Sequence, residues 1–289
     1  MLESELAQPM EAGLYLVSTP IGNLADITLR ALGVLKRADL IVCEDTRHSR
    51  KLLSHYGIGA KLEAYHEHNA KRMRPVILDR IRAGRAIALI ADAGTPLISD
   101  PGFKLVREAL EEGLNVVSIP GPSAPIAALT SSGLPSDRFF FEGFLPPKRA
   151  ARRKRLEAIA ELPGTVILFE AGSRLAEALR DAAEVLGPRQ GAVAKELTKR
   201  YETVLRGALN ELADGIGQAG SEITRGEFVV LIEQGEGAEV SDQMIAEHLK
   251  AALAAMSLRD AVREVTGELG VKRNRVYRLG LALAGNEST

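Results

Sequence analysis

The feature that most constrains the fold is an alternation of short apolar runs with helical segments over the first 120 residues. Four apolar runs bounded by turn residues are typical of β-strands: Leu14–Ser18, Leu40–Cys43, Ala86–Ala91 and Val116–Ile119. Between them, apolar residues recur every three or four positions, which indicates helices. Strands that are apolar on both faces and alternate with helices predict a mostly parallel sheet covered by helices.

A second series of apolar runs follows Pro135, and it predicts a second sheet. Its members are Phe139–Phe141, Val166–Phe169, Ala192–Lys195, Thr203–Leu205 and Phe228–Ile232. The last three have fewer helices between them, so we expect antiparallel pairs in this sheet. The join lies in the stretch richest in Pro and Gly, which begins at Pro120. We therefore predict a polar tail over 1–12, an N-terminal α/β domain over 13–121 and a C-terminal α/β domain over 122–238.

The remaining residues, 239–289, predict a small helical appendage. Apolar residues fall on one face of each of three short helices, and Gly270 is placed to end the second of them. Two interpretations stay open for this appendage: a helix-turn-helix-like contact with RNA, or a support for a dimer.

Composition excludes several classes of protein. The 289 residues are 46% hydrophobic and 26% charged, which is typical of a soluble globular protein. The formal net charge of -1 gives no global positive field, so any RNA binding must depend on local patches. The sequence holds one cysteine, Cys43, inside an apolar run, which excludes disulfides and favours a reducing cytoplasm. No apolar stretch is long enough to span a bilayer, and the acidic N-terminus is unlike a signal peptide.

Three loops that follow strands of the first sheet are rich in Gly and Pro. They are Ser18–Asn23, Ala91–Gly102 and Pro120–Ala124. In a parallel sheet such loops meet at the carboxyl edge, where open α/β sheets bind ligands, although each loop alone is also explained as a cap and turn. None matches the dinucleotide fingerprint or the phosphate loop of nucleotide triphosphatases, which disfavours both classes.

Several longer strings resemble the ribosomal RNA small-subunit methyltransferase I family, a branch of the tetrapyrrole methylases. They are LYLVSTPIGNLADIT, CEDTR, IADAGTPLISDPG, PGPSA, FLPPK, KELTKRYET and RGEFVVLI, and the similarity extends over about residues 12–285. The resemblance implies two α/β domains with S-adenosyl-L-methionine in the cleft between them, usually in a homodimer. It also implies methylation of the 2'-oxygen of a cytidine in the decoding region of 16S rRNA, within the small ribosomal subunit.

The resemblance assigns cofactor contacts to residues of the three loops. These are Pro20, Asp92, Ala93, Gly94, Thr95, Ile98, Ser99, Gly121, Pro122 and Ser123. In one place the chain departs from the family, because Ser173 stands where members often have a histidine. That departure argues against an imidazole base there, and Ser173 is expected to cap a helix instead.

Transfer to a ribose hydroxyl also needs a group that accepts the proton. Glu44 and Asp45 follow a buried strand, and they are candidates for catalysis or RNA positioning; a structural ion pair of Asp45 with Arg47 is the alternative. Lys195 and Glu196 end a strand of the second sheet and are candidates for a proton-handling pair, or else for a salt-bridged strand end. No metal is expected, and His66 with His68 are interpreted as a polar loop or an RNA contact.

A run of basic residues predicts the main contact with RNA. It comprises Lys148, Arg149, Arg152, Arg153, Lys154 and Arg155. A solvated helix start is the alternative, but cations at a helix N-terminus oppose the helix dipole, which favours a polyanionic partner. Lys272, Arg273, Arg275 and Arg278 form a second, weaker patch. Tyr65, Phe103 and Tyr201 are candidates for stacking on bases.

Two further hypotheses compete with an rRNA methyltransferase. An enzyme of the same fold that methylates a small molecule, such as a tetrapyrrole, would need neither the basic run nor the helical appendage. The other hypothesis is a non-catalytic module that binds the cofactor or RNA, and loss of S-adenosylmethionine binding with RNA binding retained would favour it.

Overall fold

The computed structural model describes residues 10–218, 226–235, 242–269 and 271–286. The chain separates into two compact units, Met1–Glu233 and Gln234–Thr289. Residues 1–9 of the predicted tail and Gly270, the predicted helix stop, lie outside the described residues. The division of the larger unit at 121/122 stays a prediction.

The first sheet contains five strands that are all paired in parallel. The strands are β1 Gly13–Val17, β2 Leu40–Cys43, β3 Leu62–Ala64, β4 Ala86–Ile90 and β5 Val116–Ile119. Their order across the sheet is β3-β2-β4-β1-β5. The parallel sheet is thus confirmed, and the short β3 is an addition that the sequence did not predict.

Helices cover both faces of this sheet. They are α1 Leu29–Arg37, α2 Thr46–His55, α3 Glu67–Arg82 and α4 Phe103–Glu111. Every residue of β2 and β4 is buried, because one face packs against the core that contains α1 and the other against the core that contains α3. Cys43 is buried within β2, as predicted.

Two helices of this sheet begin at residues that suit a helix start. Asp26 lies in a 3-10 turn, and the Thr28 hydroxyl caps α1 by accepting from Ala31 N–H at 3.1 Å. The helix α4 begins at Phe103 after Gly102, whose φ of 141° suits glycine.

The second sheet also has five strands, and its centre is antiparallel, as predicted. The strands are β6 Phe139–Phe144, β7 Thr165–Ala171, β8 Gln190–Lys195, β9 Thr203–Ala208 and β10 Glu227–Ile232. Their order is β6-β7-β10-β8-β9; β6 and β7 are parallel, and β10 is antiparallel to both of its neighbours.

Four helices follow β5 in the described residues of the larger unit. They are α5 Ala124–Ser132, α6 Arg149–Ile159, α7 Gly172–Leu186 and α8 Leu209–Gln218. One face of the second sheet packs with α6, α7 and α8, and the other packs with α5. Alternate side chains along each strand therefore face α5, and the side chains between them face α7.

In residues 242–269 and 271–286, the smaller unit is a bundle of three helices. They are α9 Asp242–Leu253, α10 Leu258–Leu269 and α11 Arg273–Asn286. Ile245, Leu249, Val262, Val265 and Val276 are buried together at its centre. No helix in the described part of the chain combines the length and apolar character that a bilayer crossing requires.

Candidate functional site

A cleft of about 570 Å³ lies in the larger unit, where loops of the first sheet meet strands of the second. This volume is in the range of sites that bind ligands of nucleoside size. From the first sheet, the lining includes Glu44 after β2 and the loop that runs from Asp92 to Asp100 after β4. From the second sheet, it includes the loop at Glu196–Lys199 and the start of β10.

Hydrogen bonds between loops fix the wall that the first sheet provides. Thr19 and Gly94 exchange two backbone hydrogen bonds, with N–O distances of 2.9 and 3.0 Å. The Ser18 hydroxyl donates to Thr95 Oγ1 at 3.1 Å, and the Thr95 hydroxyl donates to the Pro122 carbonyl at 3.1 Å. The loops after β1, β4 and β5 therefore hold one another in place.

The two sheets approach closely beside this wall. Asn23 N–H donates to Thr198 Oγ1 at 3.1 Å. A Cβ on Gly22 would lie 2.9 Å from the Leu197 carbonyl oxygen, closer than real Cβ contacts. Only a glycine lets the loop after β1 sit against the loop after β8.

The cleft is acidic. Among the described lining residues, carboxylates are contributed by Glu44, Asp92, Asp100, Glu196 and Glu227. Lys199 is the lysine of this lining, and its Nζ lies 3.0 Å from the Glu196 carboxylate. A site with this excess of negative charge favours a ligand with a positive centre.

Among the described residues that line the cleft, Asp100 has the most strongly shifted pKa. Burial raises the pKa of its carboxyl to about 6, and the nearby carboxylates of Glu44, Asp92 and Glu227 add to the rise. Both causes penalise the charged form. At neutral pH this carboxylate is ionised, but it holds a proton more readily than an ordinary aspartate.

Most of the predicted cofactor residues line the cleft. These are Asp92, Ala93, Gly94, Thr95, Ile98, Ser99 and Ser123. Pro20, Gly121 and Pro122 are outside its lining; Pro20 is buried beside Thr19, and Pro122 accepts the hydrogen bond from Thr95. The structure thus brings the three loops together, and the role of each residue in binding stays a prediction.

Two of the four predicted catalytic residues, Glu44 and Glu196, line the cleft, whereas Asp45 does not. The Asp45 side chain caps α2, accepting from Arg47 N–H at 2.8 Å, and its Oδ2 lies 2.8 Å from the Arg47 guanidinium. These bonds hold the pKa of Asp45 well below its usual range, which makes it a weak proton acceptor. The structural ion pair is the correct interpretation of Asp45.

Lys195 is not among the residues that line the cleft. It is directly opposite Phe228, and its Nζ lies 5.8 Å from the centre of that ring. Phe228 belongs to the core that packs against α7 and α8 and also borders the cleft, which Ala194 lines as well. Successive side chains of a strand face opposite ways, so Lys195 and Ala194 lie on different faces of the sheet, and proton handling by Lys195 stays a prediction.

Ser173 and the two histidines have structural positions outside the cleft lining. The N-cap of α7 is Ala171, so the expected cap at Ser173 is wrong, and Ser173 is an exposed residue of the first turn. His66 precedes α3, where its N–H donates to Asn69 Oδ1 at 2.9 Å. In the described residues no three His, Cys, Asp or Glu side chains are grouped as metal ligands.

Sequence reasoning missed several residues of the cleft. Asp100 lies in the predicted loop Ala91–Gly102 together with Asp92, but the sequence alone assigned it no role. Glu227 begins β10, and its charge next to an apolar run was the available signal. Phe144 and Phe169 line the cleft with ring centres 5.5 Å apart, and nothing in their spacing predicted this pairing.

Comparison with known proteins identifies the family. The profile of the Tetrapyrrole (Corrin/Porphyrin) Methylases matches residues 13–213, and that of the RsmI C-terminal HTH domain matches residues 239–284. A protein named ribosomal RNA small subunit methyltransferase I from Mesorhizobium japonicum is 50% identical over 96% of this chain and 94% of its own length. The chain belongs to the small subunit methyltransferase I family.

Other members of the small subunit methyltransferase I family align over nearly the whole chain. The protein of this name from Pseudomonas aeruginosa is 46% identical over 96% of this chain and 99% of its own length. That from Escherichia coli O157:H7 is 44% identical over 99% of this chain and 100% of its own.

Solved structures of other methylases share the fold of this family member. A cobalt precorrin-4 methyltransferase superposes with a TM-score of 0.58 at 18% identity, covering 76% of this chain and 94% of that one. The Thermus thermophilus uroporphyrin-III C-methyltransferase, complexed with S-adenyl homocysteine, gives a TM-score of 0.52 at 21% identity, covering 79% and 100%. At these identities the likeness establishes the fold, which confirms the predicted fold class.

The basic run of this methyltransferase family member starts α6, and acidic residues of α7 cover much of it. Arg152 is only 1% exposed, and its guanidinium lies 2.7 Å from the equally buried carboxylate of Asp181. Arg149 and Arg153 also pair with Asp181. The predicted RNA contact at Arg152 is therefore wrong, because its charge is enclosed in the α6–α7 interface.

The other predicted RNA contacts divide into two groups. Arg149 and Arg153 also contact Glu184, and Arg155 contacts Glu142, so a phosphate would compete with a carboxylate for each of them. Lys148 and Lys154 are exposed, and neither forms an ion pair within the described ranges. Both lysine side chains are open to solvent, and an RNA contact at them stays a prediction.

One of the three aromatic candidates is wrong. Tyr65 is 1% exposed and packs in the core beneath α3, so its ring cannot stack on a base. Phe103 and Tyr201 are exposed, with arginine side chains over their rings at 5.8 and 5.6 Å. Base stacking on these two rings stays a prediction.

Proposed function

We propose that this protein transfers a methyl group from S-adenosyl-L-methionine to the 2'-oxygen of a cytidine ribose in 16S rRNA of the small ribosomal subunit. The observation that carries the proposal is the 50% identity with a protein named ribosomal RNA small subunit methyltransferase I, over 96% of the chain. The acidic cleft adds a site of the right size and charge for the cofactor.

The residues of the cleft fit S-adenosylmethionine. When bound, this cofactor supplies an activated methyl group on a positively charged sulfur. Gly94, with φ of 77°, presents its backbone to the cleft without a side chain, and the Asp92, Asp100 and Glu227 carboxylates complement a positive centre. Phe144 and Phe169 offer apolar surface at the same cleft.

The ribose hydroxyl must lose its proton as the new bond forms, and we assign its acceptance to the Asp100 carboxylate. Asp100 lines the cleft, and its pKa of about 6 leaves it ionised at neutral pH yet more basic than an ordinary aspartate. Glu196, by contrast, is engaged by Lys199 at 3.0 Å. Lys199 holds Glu196 in place, and both residues line the cleft.

The proposal is tested by incubating the pure protein with methyl-labelled S-adenosylmethionine and small subunits from cells that lack this modification. We expect label on one cytidine of 16S rRNA, with an alkali-resistant linkage at that nucleotide, because 2'-O-methylation blocks cleavage there. Label on a base, on a protein or on an added tetrapyrrole but not on rRNA ribose would overturn it.

We further propose that the protein acts in the cytoplasm as a homodimer. A reduced, buried Cys43 supports the compartment, and the family resemblance supports the dimer. Light scattering on the purified chain tests the second point: a mass near twice 31.0 kDa is expected, and a concentration-independent monomer contradicts it.

A further inference from the structure

The three-helix unit contains a small pocket of its own. It has a volume of about 200 Å³ and is lined by Arg259, Arg263, Thr266 and Arg273. The first three share one face of α10, because they are spaced four and three residues apart. Arg273 is the first residue of α11.

These arginines have little intramolecular compensation. Arg263 is 81% exposed and pairs with Asp260 at 3.3 Å. Within residues 242–269 and 271–286, no ion pair involves Arg259 or Arg273. Three guanidinium groups around one small pocket repel one another unless an anion lies between them.

The start of α11 adds to this unbalanced charge. Lys272, Arg273 and Arg275 surround its N-terminus, and its first turn holds no acidic residue. Cations are unfavourable at a helix N-terminus, whereas an anion is favoured by the free N–H groups and the helix dipole. Asp242 lies 2.7 Å from the Arg275 guanidinium and compensates its charge. The excess positive charge at this helix start is therefore on the side of the pocket, where Arg273 lies.

A buried hydroxyl independently indicates a missing ligand. Thr266 Oγ1 is buried and has no hydrogen-bond partner. An unpaired buried hydroxyl is unfavourable, and a phosphate oxygen that enters the pocket between the arginine side chains would accept its proton.

We propose that Arg259, Arg263, Thr266 and Arg273 form a binding site for a backbone phosphate of RNA on the three-helix unit. The site rests on the proposed function for its partner, since an rRNA substrate supplies the phosphates. It differs from the basic run of α6 in that three arginines and a hydroxyl can converge on one phosphate.

The test compares three single variants in the full-length protein with a charge-matched control. Arg259→Gln and Arg273→Gln each remove one guanidinium from the pocket, and Thr266→Val removes the hydroxyl at constant shape. Lys250→Gln is the control, because Lys250 is an exposed cation of α9 outside the pocket. Binding to small subunits, and to an unrelated RNA duplex, is measured over a series of salt concentrations.

We expect each arginine variant to weaken RNA binding about ten-fold at moderate salt and to lower the slope of log affinity against log salt by about one. Thr266→Val should weaken binding several-fold while its unfolding midpoint stays equal or rises, because an unpaired hydroxyl is removed. S-adenosylmethionine affinity should be unchanged in all variants.

Binding equal to that of Lys250→Gln in the pocket variants would overturn the proposal. So would a Thr266→Val protein that is more stable but binds RNA like the parent, because the hydroxyl would then have no ligand. Failure of the proposed function is distinguished by the parent protein: an absence of methyl transfer to rRNA, with pocket-dependent RNA binding retained, removes the function and keeps the site.

Discussion

Asp100 is the residue on which the chemistry of the cleft depends most. Its carboxyl lies among Glu44, Asp92 and Glu227, and its raised pKa of about 6 records how unfavourable a further negative charge is there. Natural active sites often hold such groups at a cost in stability. A measurement of rate tests the part of Asp100 in catalysis, and a measurement of stability tests its cost to the folded state.

For the rate, we expect Asp100→Asn to lower kcat at least 100-fold, because the proton acceptor is lost, and to weaken S-adenosylmethionine binding by a smaller factor, because one of the carboxylates that complement its positive centre is neutralised. In the parent protein, kcat should rise with pH through about 6 and then level off, as the carboxyl ionises. Asp45→Asn is the control, since Asp45 caps α2 outside the cleft lining. A parent profile that is flat between pH 5 and 8 would contradict the assignment.

The direction of the pKa change of Asp100 determines whether the free energy of unfolding rises or falls with pH. The folded state binds the Asp100 proton more tightly than the unfolded state, so the free energy of unfolding falls as pH rises from about 4 to 6. Asp100→Asn removes this loss and should raise the free energy of unfolding at pH 7 by about 1–2 kcal/mol, allowing for solvent screening. Urea unfolding of the parent and of Asp100→Asn at pH 5 and pH 7 measures this effect. If the unfolding free energy changes equally between the two pH values in both proteins, the expectation is contradicted.

Gly94 provides a second test at a single position. Its φ of 77° is strained for other residues, and so is the φ of 72° at Gly113, a turn glycine with open space around it. Alanine at either position should cost about 1 kcal/mol in unfolding free energy. Only Gly94→Ala should also weaken S-adenosylmethionine binding by calorimetry; equal affinities in the two variants would remove this loop from the binding site.

The pairing of α6 with α7 shows why a charge run read from sequence is ambiguous. Arg152 and Asp181 are 29 residues apart, and nothing local to the run shows that an acidic helix will cover it. We expect Arg152→Ala to lower the free energy of unfolding by about 2–3 kcal/mol, because it removes the buried member of the three arginines that pair with Asp181. Lys154→Ala, an exposed neighbour on the same helix, should change it by less than about 0.5 kcal/mol.

Chemical denaturation of the two variants, with RNA binding measured in parallel, decides between packing and recognition. A stable Arg152→Ala protein with specifically weakened RNA binding would restore the original interpretation of this arginine.

The strands were predictable from sequence where an apolar run marks them, as in β4 and β10, whose residues are almost all buried. The strand β3 escaped notice because its three residues, Leu62–Ala64, are half-buried and include a glutamate. Parallel and antiparallel pairing could be inferred from the number of intervening helices. The strand order could not, since it depends on contacts between distant residues.

For the candidate site, glycine and proline marked the cofactor loops correctly because backbone geometry is a local property. The direction of individual side chains was not predictable in the same way. Glu44 and Asp45 are adjacent, yet one lines the cleft and the other caps a helix; Lys195 and Ala194 differ by one position and face opposite sides of a sheet.

Over the whole molecule, a net charge of -1 and an acidic cleft leave RNA binding to local patches. We expect affinity for small subunits to fall steeply with salt, and Lys148→Ala with Lys154→Ala together to lower the salt slope by about two. S-adenosylmethionine binding, which takes place in the cleft, should depend on salt far less. A slope unchanged by the double substitution would show that these lysines contact no phosphate.

The place of β10 in the second sheet has a consequence for how the protein is made. The first sheet has all of its strands once synthesis passes Ile119, so it can form while the chain is still emerging. The last strand to be synthesised, ending at Ile232, is the central one of the second sheet and separates β7 from β8. Until it arrives, the facing edges of β7 and β8 lack a partner, and a nascent chain arrested near residue 215 should be protected from protease up to about Ile119 while the rest is cut.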